Sequence, residues 1–219
     1  MRPPFADRRD AGRKLARALA HLAGRPDLLV LALPRGGVPV AYEVAQSLGA
    51  ELDLILVRKL GTPRQPELAM GAIASGGIEI LNPRVVQGLG IPDAVIRRVA
   101  EAEYAELKRR EAAYRGGRPP PRIEGRTVIL VDDGLATGST MMAAIEAVRS
   151  HNPAHLLVAV PVAPPDTVQR LREKVDEVVV LETPMNFAAV GQWYLDFSQT
   201  GDEEVQQLLQ AAWGSSQKA

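Results

Sequence analysis

The stretch from Val128 to Thr140 constrains the fold of this chain more than any other part of the sequence. It opens with Val-Ile-Leu-Val, which is typical of a parallel strand buried on both faces. Two acids, Asp132 and Asp133, follow where that strand should end, and the segment from Met141 to Val148 then has helical apolar spacing. A strand, a short polar loop and a helix in this order predict an α/β fold, in which ligands bind at the carboxyl ends of strands.

The loop in this stretch suits a phosphate group. It places three hydroxyl residues around a glycine, in the order Thr137, Gly138, Ser139 and Thr140. A helix N-terminus offers free N–H groups to an anion, and glycine lets the backbone approach closely. The two carboxylates suit sugar hydroxyls or a hydrated Mg²⁺. The alternative is an ordinary strand, turn and helix cap, because Ser, Thr and Asp are common in all three.

A second strand–loop–helix unit lies earlier in the chain. The apolar run Leu28 to Leu33 ends in Pro34-Arg35-Gly36-Gly37, and Val38 to Leu48 has the spacing of a helix. Leu52 to Val57 is the next predicted strand, followed by Arg58-Lys59, which is either an exposed basic pair or part of a phosphate site. This repeated order of strand and helix favours a parallel sheet.

Other predicted elements complete the chain. Gly61 to Gly71 has no clear periodicity, and a β-hairpin is predicted across Ser75-Gly76-Gly77. Helices are predicted over 7–22, 92–115, 165–174 and 202–212, and strands over 155–161 and 177–181. In the first helix the basic residues are expected to face solvent, namely Arg8, Arg9, Arg13, Lys14 and Arg17. The aromatic residues in 184–197 either anchor the core or stack on a planar base.

Charge and composition exclude several classes of protein. The 219 residues contain 26 Lys plus Arg and 26 Asp plus Glu, so the balance argues against bulk binding to nucleic acid or an anionic membrane. Cysteine is absent, which excludes disulfides and thiolate chemistry. No apolar run is long enough to cross a bilayer, and residues 1–10 lack the apolar core of a signal peptide. We therefore expect a cytoplasmic protein.

The motif from Val128 to Thr140 closely resembles the phosphoribosyl pyrophosphate (PRPP) signature of the type I phosphoribosyltransferases. The resemblance implies an α/β fold with a central parallel sheet flanked by helices, a small hood, and a mobile loop or hairpin. We expect one domain over residues 1–219, with the core at 7–182, the mobile loop or hairpin at 60–82, and the hood and last helix at 183–214. It also implies a cis peptide bond near Pro34-Arg35-Gly36.

The resemblance assigns roles to particular residues. The expected PRPP contacts are Arg35, Gly36, Gly37, Arg58, Lys59, Asp132, Asp133, Ala136, Thr137, Gly138, Ser139 and Thr140. Asp132 and Asp133 are the expected catalytic acids, and they would hold Mg²⁺ through water and PRPP. Arg35 and the glycines would stabilise charge on the leaving pyrophosphate. Glu67, in the expected mobile loop, is a third candidate catalytic residue.

The implied function is Mg²⁺-dependent transfer of a 5-phosphoribosyl group from PRPP to a nitrogen acceptor, in the first instance a nucleobase. Hypoxanthine–guanine-type members carry an acid immediately before Thr-Gly, where this chain has Ala136, so that subgroup is disfavoured. The alternatives are a noncatalytic PRPP-sensing regulator with the same fold and a plain nucleotide-binding α/β protein. The expected partners are PRPP and a small acceptor, without membrane or nucleic acid, and a homodimer stays open.

Overall fold

Eight strands and seven α-helices follow one another within residues 3–215, the part of the chain that this computed structural model describes. Residues 1–2 and 216–219 of the predicted 1–219 domain therefore lie outside the described range. The strands are β1 (Leu28–Ala32), β2 (Glu51–Leu54), β3 (Val57–Gly61), β4 (Ala69–Ala74), β5 (Ile78–Leu81), β6 (Thr127–Val131), β7 (His155–Val162) and β8 (Glu177–Glu182). The helices are α1 (Arg8–Ala18), α2 (Gly37–Leu48), α3 (Pro83–Gly88), α4 (Asp93–Arg115), α5 (Ser139–Arg149), α6 (Pro165–Arg172) and α7 (Asp202–Ser215), with 3-10 turns at Ala20–Leu22 and Val190–Trp193.

Five strands form one parallel sheet in the order β2-β1-β6-β7-β8. The chain adds β2 on one side of β1 and then adds β6, β7 and β8 in turn on the other side. The topological switch point therefore lies between β1 and β6, where Ala32 pairs with Val131. Loops that follow these two strands leave the sheet side by side, which is where ligands bind in open α/β sheets.

The sheet is covered on both faces, as its continuous apolar strands predict. Along β1, Val30 contributes to a core with helices α1, α2, α4 and α7, while Leu29 and Leu31 contribute to a second core with α5 and α6. All five residues of β1 and of β6 are buried. Because both faces are dry, the polar loops at the strand ends are the parts of this region that meet solvent.

The remaining three strands form a small antiparallel sheet in the order β3-β4-β5, and the hairpin of β4 and β5 matches the prediction. The predicted strand Leu52 to Val57 is wrong in its C-terminal half. The chain leaves the parallel sheet after Ile55, because the N–H of Leu56 bonds to Ser75 Oγ at 2.9 Å and its carbonyl accepts from the N–H of Ser75. Arg58 and Lys59 consequently lie within β3 and not at the end of a parallel strand.

The N-terminal segment packs against the segment around Tyr194, beside β7. Phe5 forms a bridge with Tyr194, whose side chain is 4 % exposed. The Tyr194 ring lies 5.4 Å from the ring of Phe5 and 5.0 Å from that of Phe197. Core anchoring is therefore the observed role of Tyr194, while Phe197 is 37 % exposed.

The sequence predicts the long helix α4 but not the short helix α3. α3 was not predicted, because six residues are too few to show a periodicity, although Asn82 caps it and Pro83 begins it. The long helix predicted at 92–115 is present as α4. Among the described residues, no helix has the length and apolar character needed to span a membrane.

Candidate active site

The loop after β1 turns directly into helix α2. The peptide bond between Pro34 and Arg35 is cis, as the sequence resemblance implied. Gly37 is the first residue of α2, and its N–H bonds to the carbonyl of Leu33. The Arg35 side chain is 39 % exposed, with Nη1 3.8 Å from Asp202 Oδ1. Arg35 is thus available to an anion and is not committed to the core.

The loop after β6 presents the two acids side by side. Asp132 Oδ1 accepts the N–H of Asp133 at 2.8 Å, and Asp133 Oδ2 accepts from Arg8 Nε at 2.8 Å. Within residues 3–215 the second carboxylate oxygen of each acid accepts no bond from an N–H group. Neither of these two oxygens is fully buried without a hydrogen-bond partner. Each acid therefore has one oxygen fixed by an N–H donor and one oxygen open to other donors, among them the neighbouring carboxyl group.

Two glycines allow the loops after β1 and β6 to touch. A Cβ on Gly36 would lie 2.1 Å from Asp133 Oδ2, and a Cβ on Gly37 would lie 2.8 Å from the carbonyl oxygen of Val131. A side chain at position 37 would collide with the backbone of the second loop, and one at position 36 would displace the Asp133 carboxylate. The glycine-rich loop and the acidic pair are consequently two walls of one site.

The hydroxyl loop forms the third wall at the start of α5. Gly138 has φ 72°, in the left-handed region, and is the N-cap residue of the helix. Helix α6 holds the loop from behind, since Thr167 Oγ1 donates to the carbonyl of Ala136 at 2.7 Å and Arg170 donates to that of Thr137 at 2.9 Å. The carbonyls thus point towards α6.

The amides of this loop are left free for a ligand. In the described part of the chain, the N–H groups of Ala136, Thr137 and Gly138 have no acceptor. The side chains of Thr137 and Ser139 are exposed and lie 3.3 Å apart, Oγ1 to Oγ. Free N–H groups and hydroxyls around a left-handed glycine make an anion-binding concavity.

Electrostatics distinguish the acidic pair from surface carboxylates. Burial, followed by the adjacent charge of Asp133, raises the pKa of Asp132 well above its usual range. Burial also raises the pKa of Asp133, while the guanidinium of Arg8 opposes that shift. Two carboxylates with raised pKa values at a strand end are typical of functional sites.

The other predicted residues lie at the edges of this arrangement. Arg58 Nε bonds to Glu103 Oε2 of α4, and Arg58 shares a small cavity of about 60 Å³ with Arg35 and Thr140. Lys59 lines a separate groove of about 320 Å³ with Ser139 and Thr140. Both basic residues therefore lie next to the hydroxyl loop.

Glu67 is not part of this constellation in the structure. It lies exposed in the turn between β3 and β4, and no hydrogen bond or ion pair joins it to either loop among residues 3–215. The turn is closed on itself, because Thr62 N–H bonds to the carbonyl of Leu68 at 2.9 Å. A catalytic role for Glu67 stays a prediction.

Arg8 is the site residue that the sequence prediction missed. The sequence predicts that Arg8 faces solvent on α1, but its side chain is 12 % exposed and bonds to Asp133. Tyr194 was also not linked to the motif, although its hydroxyl donates to the carbonyl of Asp133 at 2.5 Å. No local signal could have found these contacts, because the partners of Asp133 are 125 and 61 residues away in sequence.

The residues present fit a hydrated Mg²⁺ held jointly with a phosphate ligand. The described chain contains no group of three or more His, Cys, Asp or Glu side chains that could cage a metal alone. Mg²⁺ usually keeps several waters and is bound through one or two carboxylates plus substrate phosphates. The open oxygens of Asp132 and Asp133, beside an anion-binding loop, supply such a partial set.

An open parallel sheet with an acidic pair and an anion-binding loop at its switch point is an arrangement suited to a sugar phosphate or a nucleotide. Comparison with known families narrows the class of protein. The chain belongs to the phosphoribosyl transferase domain family, whose profile matches residues 7–197.

Relatives support the same family. A Mycobacterium tuberculosis protein, provisionally named a phosphoribosyl transferase, is 50% identical over 208 residues, which are 95% of this chain and 47% of that protein. The chain thus spans about half the length of this curated relative. A crystal structure of a Thermus thermophilus protein superposes with a TM-score of 0.83 at 48% identity, covering 95% of this chain and 98% of that one. A Lactobacillus gasseri protein named uracil phosphoribosyltransferase is 30% identical over 63% of this chain and 65% of its own length.

Proposed function

We propose that this protein transfers the 5-phosphoribosyl group of PRPP to a ring nitrogen of a nucleobase and releases pyrophosphate. The observation that carries the proposal is the meeting of three walls at the switch point between β1 and β6. These walls are the loop at Arg35 to Gly37, the pair Asp132 and Asp133, and the hydroxyl loop at Ala136 to Thr140. Their chemistry matches the pyrophosphate, the ribose hydroxyls and the 5-phosphate, respectively.

Each wall would do one part of the work. The free amides and hydroxyls of the loop Ala136 to Thr140 would bind the 5-phosphate and orient the sugar. The open oxygens of Asp132 and Asp133 would accept hydrogen bonds from the neighbouring ribose hydroxyls. Arg35 would stabilise the charge that builds on pyrophosphate as the bond to the sugar breaks. Mg²⁺, when bound, would supply further charge neutralisation on the pyrophosphate oxygens.

Uracil is the first acceptor to test. Several relatives of this chain are named uracil phosphoribosyltransferases, including those from Lactobacillus gasseri and Lacticaseibacillus paracasei. Ala136 offers no carboxylate beside the hydroxyl loop, so we expect hypoxanthine and guanine to be poor acceptors. Proton transfer would then depend on another group, and Glu67 stays the candidate if the segment between β3 and β4 closes over the ligand.

The test is a panel of nucleobases incubated with PRPP and Mg²⁺, read by pyrophosphate release and by loss of free base. We expect release with at least one base, in equal amounts to the base consumed. Binding of PRPP without release with any base would support a noncatalytic sensor instead. A best rate with guanine would contradict the argument from Ala136.

Arg35→Ala should separate pyrophosphate binding from stability. The side chain is well exposed and its ion pair with Asp202 is long, so we expect a nearly unchanged Tm. Loss of a charged hydrogen-bonding group should weaken the affinity for inorganic pyrophosphate by about tenfold or more, measured by calorimetry. Arg17→Ala, at an exposed position of α1, is the matched control and should bind pyrophosphate normally. A large fall in Tm with normal pyrophosphate affinity would make Arg35 a structural residue.

A further inference from the structure

Arg8 joins three separate parts of the chain at the acidic pair. Its Nε donates to Asp133 Oδ2 at 2.8 Å, and its Nη1 donates to the carbonyl of Ser198 at 2.6 Å. The guanidinium also lies 4.0 Å from the centre of the Phe197 ring. A helix, a strand end and a C-terminal segment are therefore connected through one side chain.

The backbone around Arg8 is held independently of this contact. Asp7 caps α1 by accepting the N–H of Asp10, and the preceding Phe5 exchanges backbone hydrogen bonds with Trp193 and Leu195. Arg8 thus extends from a fixed helix start, and its guanidinium donors have set directions. The planar fork of arginine can bond a carboxylate and a carbonyl together, which the single ammonium of lysine does less well.

The geometry leaves Asp133 with one defined orientation. Oδ2 is committed to Arg8, and it lies where a Cβ of Gly36 would be 2.1 Å away, so the glycine loop packs against that side. Oδ1 accepts no N–H group of the described residues. Free rotation of the carboxylate would break the Arg8 contact, so the direction of Oδ1 is fixed as well.

We propose that Arg8 is a positioning residue that fixes Asp133 so that Oδ1 can accept a hydrogen bond from a ribose hydroxyl. This inference rests on the proposed function and adds a residue outside the PRPP motif to the sugar site. Because Arg8 lies in helix α1 and bonds to Ser198, this role makes the selectivity for the sugar depend on α1 and on the segment around Ser198. Asp132, whose Oδ1 is fixed by a backbone N–H, needs no such support.

Discrimination between two sugar phosphates tests this role directly. Ribose 5-phosphate and its 2,3-dideoxy analogue share the phosphate and differ in the two hydroxyls. Because hydrogen bonds to charged groups contribute strongly, we expect the wild type to bind the ribose compound at least about tenfold more tightly. In Arg8→Met this ratio should fall below about threefold, because the carboxylate loses its fixed orientation. A misfolded or merely destabilised protein would lose both ligands together and leave the ratio unchanged.

Two variants complete the design. Arg9→Met removes the neighbouring arginine of the same helix, which pairs with Glu43 on the exposed side, and should keep the wild-type ratio. Arg8→Lys retains the charge and replaces Arg8→Met as the test if Arg8→Met does not fold. Its ratio of affinities for the two sugar phosphates should be at least about threefold lower than that of the wild type. An unchanged ratio in the folded Arg8 variants would overturn the inference while leaving the proposed function intact. A wild type that binds neither ribose 5-phosphate nor PRPP would overturn both.

Discussion

Gly36→Ala is expected to weaken PRPP binding by one to two orders of magnitude while the protein stays folded. The new Cβ would lie 2.1 Å from Asp133 Oδ2 and 3.1 Å from Arg8 Nε, so the acid, the arginine or the loop must move. Overpacking of this kind costs about 1–3 kcal/mol, and here the strain falls on the binding geometry itself. The affinity is measured by calorimetry with PRPP and Mg²⁺, and folding by the thermal transition.

Gly88→Ala is the matched control, because a Cβ at that position in α3 meets no atom within 4 Å. It should leave both PRPP affinity and Tm close to the wild-type values. Normal PRPP binding by folded Gly36→Ala would mean that the close contact between the two loops does not matter for the ligand. The two loops would then not form one binding site.

Arg115→Met is expected to lower the free energy of unfolding by about 3–5 kcal/mol, because it leaves a buried carboxylate without its cation. The Arg115 and Asp53 side chains are 7% and 1% exposed, and Nε lies 3.0 Å from Asp53 Oδ1. Nη2 also donates to the carbonyl of Leu54 at 2.9 Å. Asp53 Oδ2 is already buried without a hydrogen-bond partner, so the carboxylate would be left with the N–H of Leu54 and the more distant charge of Arg118. Urea unfolding at neutral pH measures the loss.

The loss should depend on pH in a defined direction. Burial raises the pKa of Asp53 above its unfolded value, and the charge of Arg115 opposes that shift. The stability contribution of such an acid is fully present below its unfolded pKa and is lost as pH rises through its folded pKa. Removing Arg115 should raise the folded pKa further. The Arg115→Met variant should therefore regain stability relative to the wild type as pH falls from about 7 towards about 5.

Controls separate burial from the loss of an arginine. Arg109→Met, on the exposed side of the same helix, removes an arginine paired with Glu106 and should change stability little. Adding Asp53→Asn to Arg115→Met removes the unpaired charge and should recover part of the loss. A small, pH-independent effect of Arg115→Met would show that solvent reaches Asp53.

The fold could be predicted because its strongest signals are local. The apolar strands, the glycine stops and the turn at Ser75-Gly76-Gly77 each depend on neighbouring residues, and the elements lie close to where the sequence placed them. The end of β2 was misplaced, because the hydrogen bonds that draw Leu56 away from the parallel sheet come from Ser75, nineteen residues later.

The candidate site likewise has one part that the sequence predicts and another part that it does not. The two loops are contiguous motifs, so the sequence already predicts that the residues of the three walls lie together, as the structure places them. It could not identify Arg8, because an arginine at the start of an amphipathic helix looks like any other solvated arginine until Asp133 is placed beside it. It also could not show that Arg58 is paired with Glu103, which limits its freedom to bind phosphate. The sequence favours Glu67 only by its position in the chain, and the closed turn at 62–68 gives it no contact with the acids.

Titration of the wild type and of a Thr137→Val, Thr140→Val double variant with PRPP and Mg²⁺ tests the central claim most directly. Valine keeps the shape of threonine and removes only the hydroxyl, and both side chains lie outside the buried core. We expect one PRPP to bind per wild-type chain, and the affinity of the double variant to be lower by at least about tenfold, since two hydrogen bonds to a charged phosphate are lost. Absence of PRPP binding in the wild type, or unchanged affinity in the folded double variant, would contradict the assignment of this loop to a 5-phosphate.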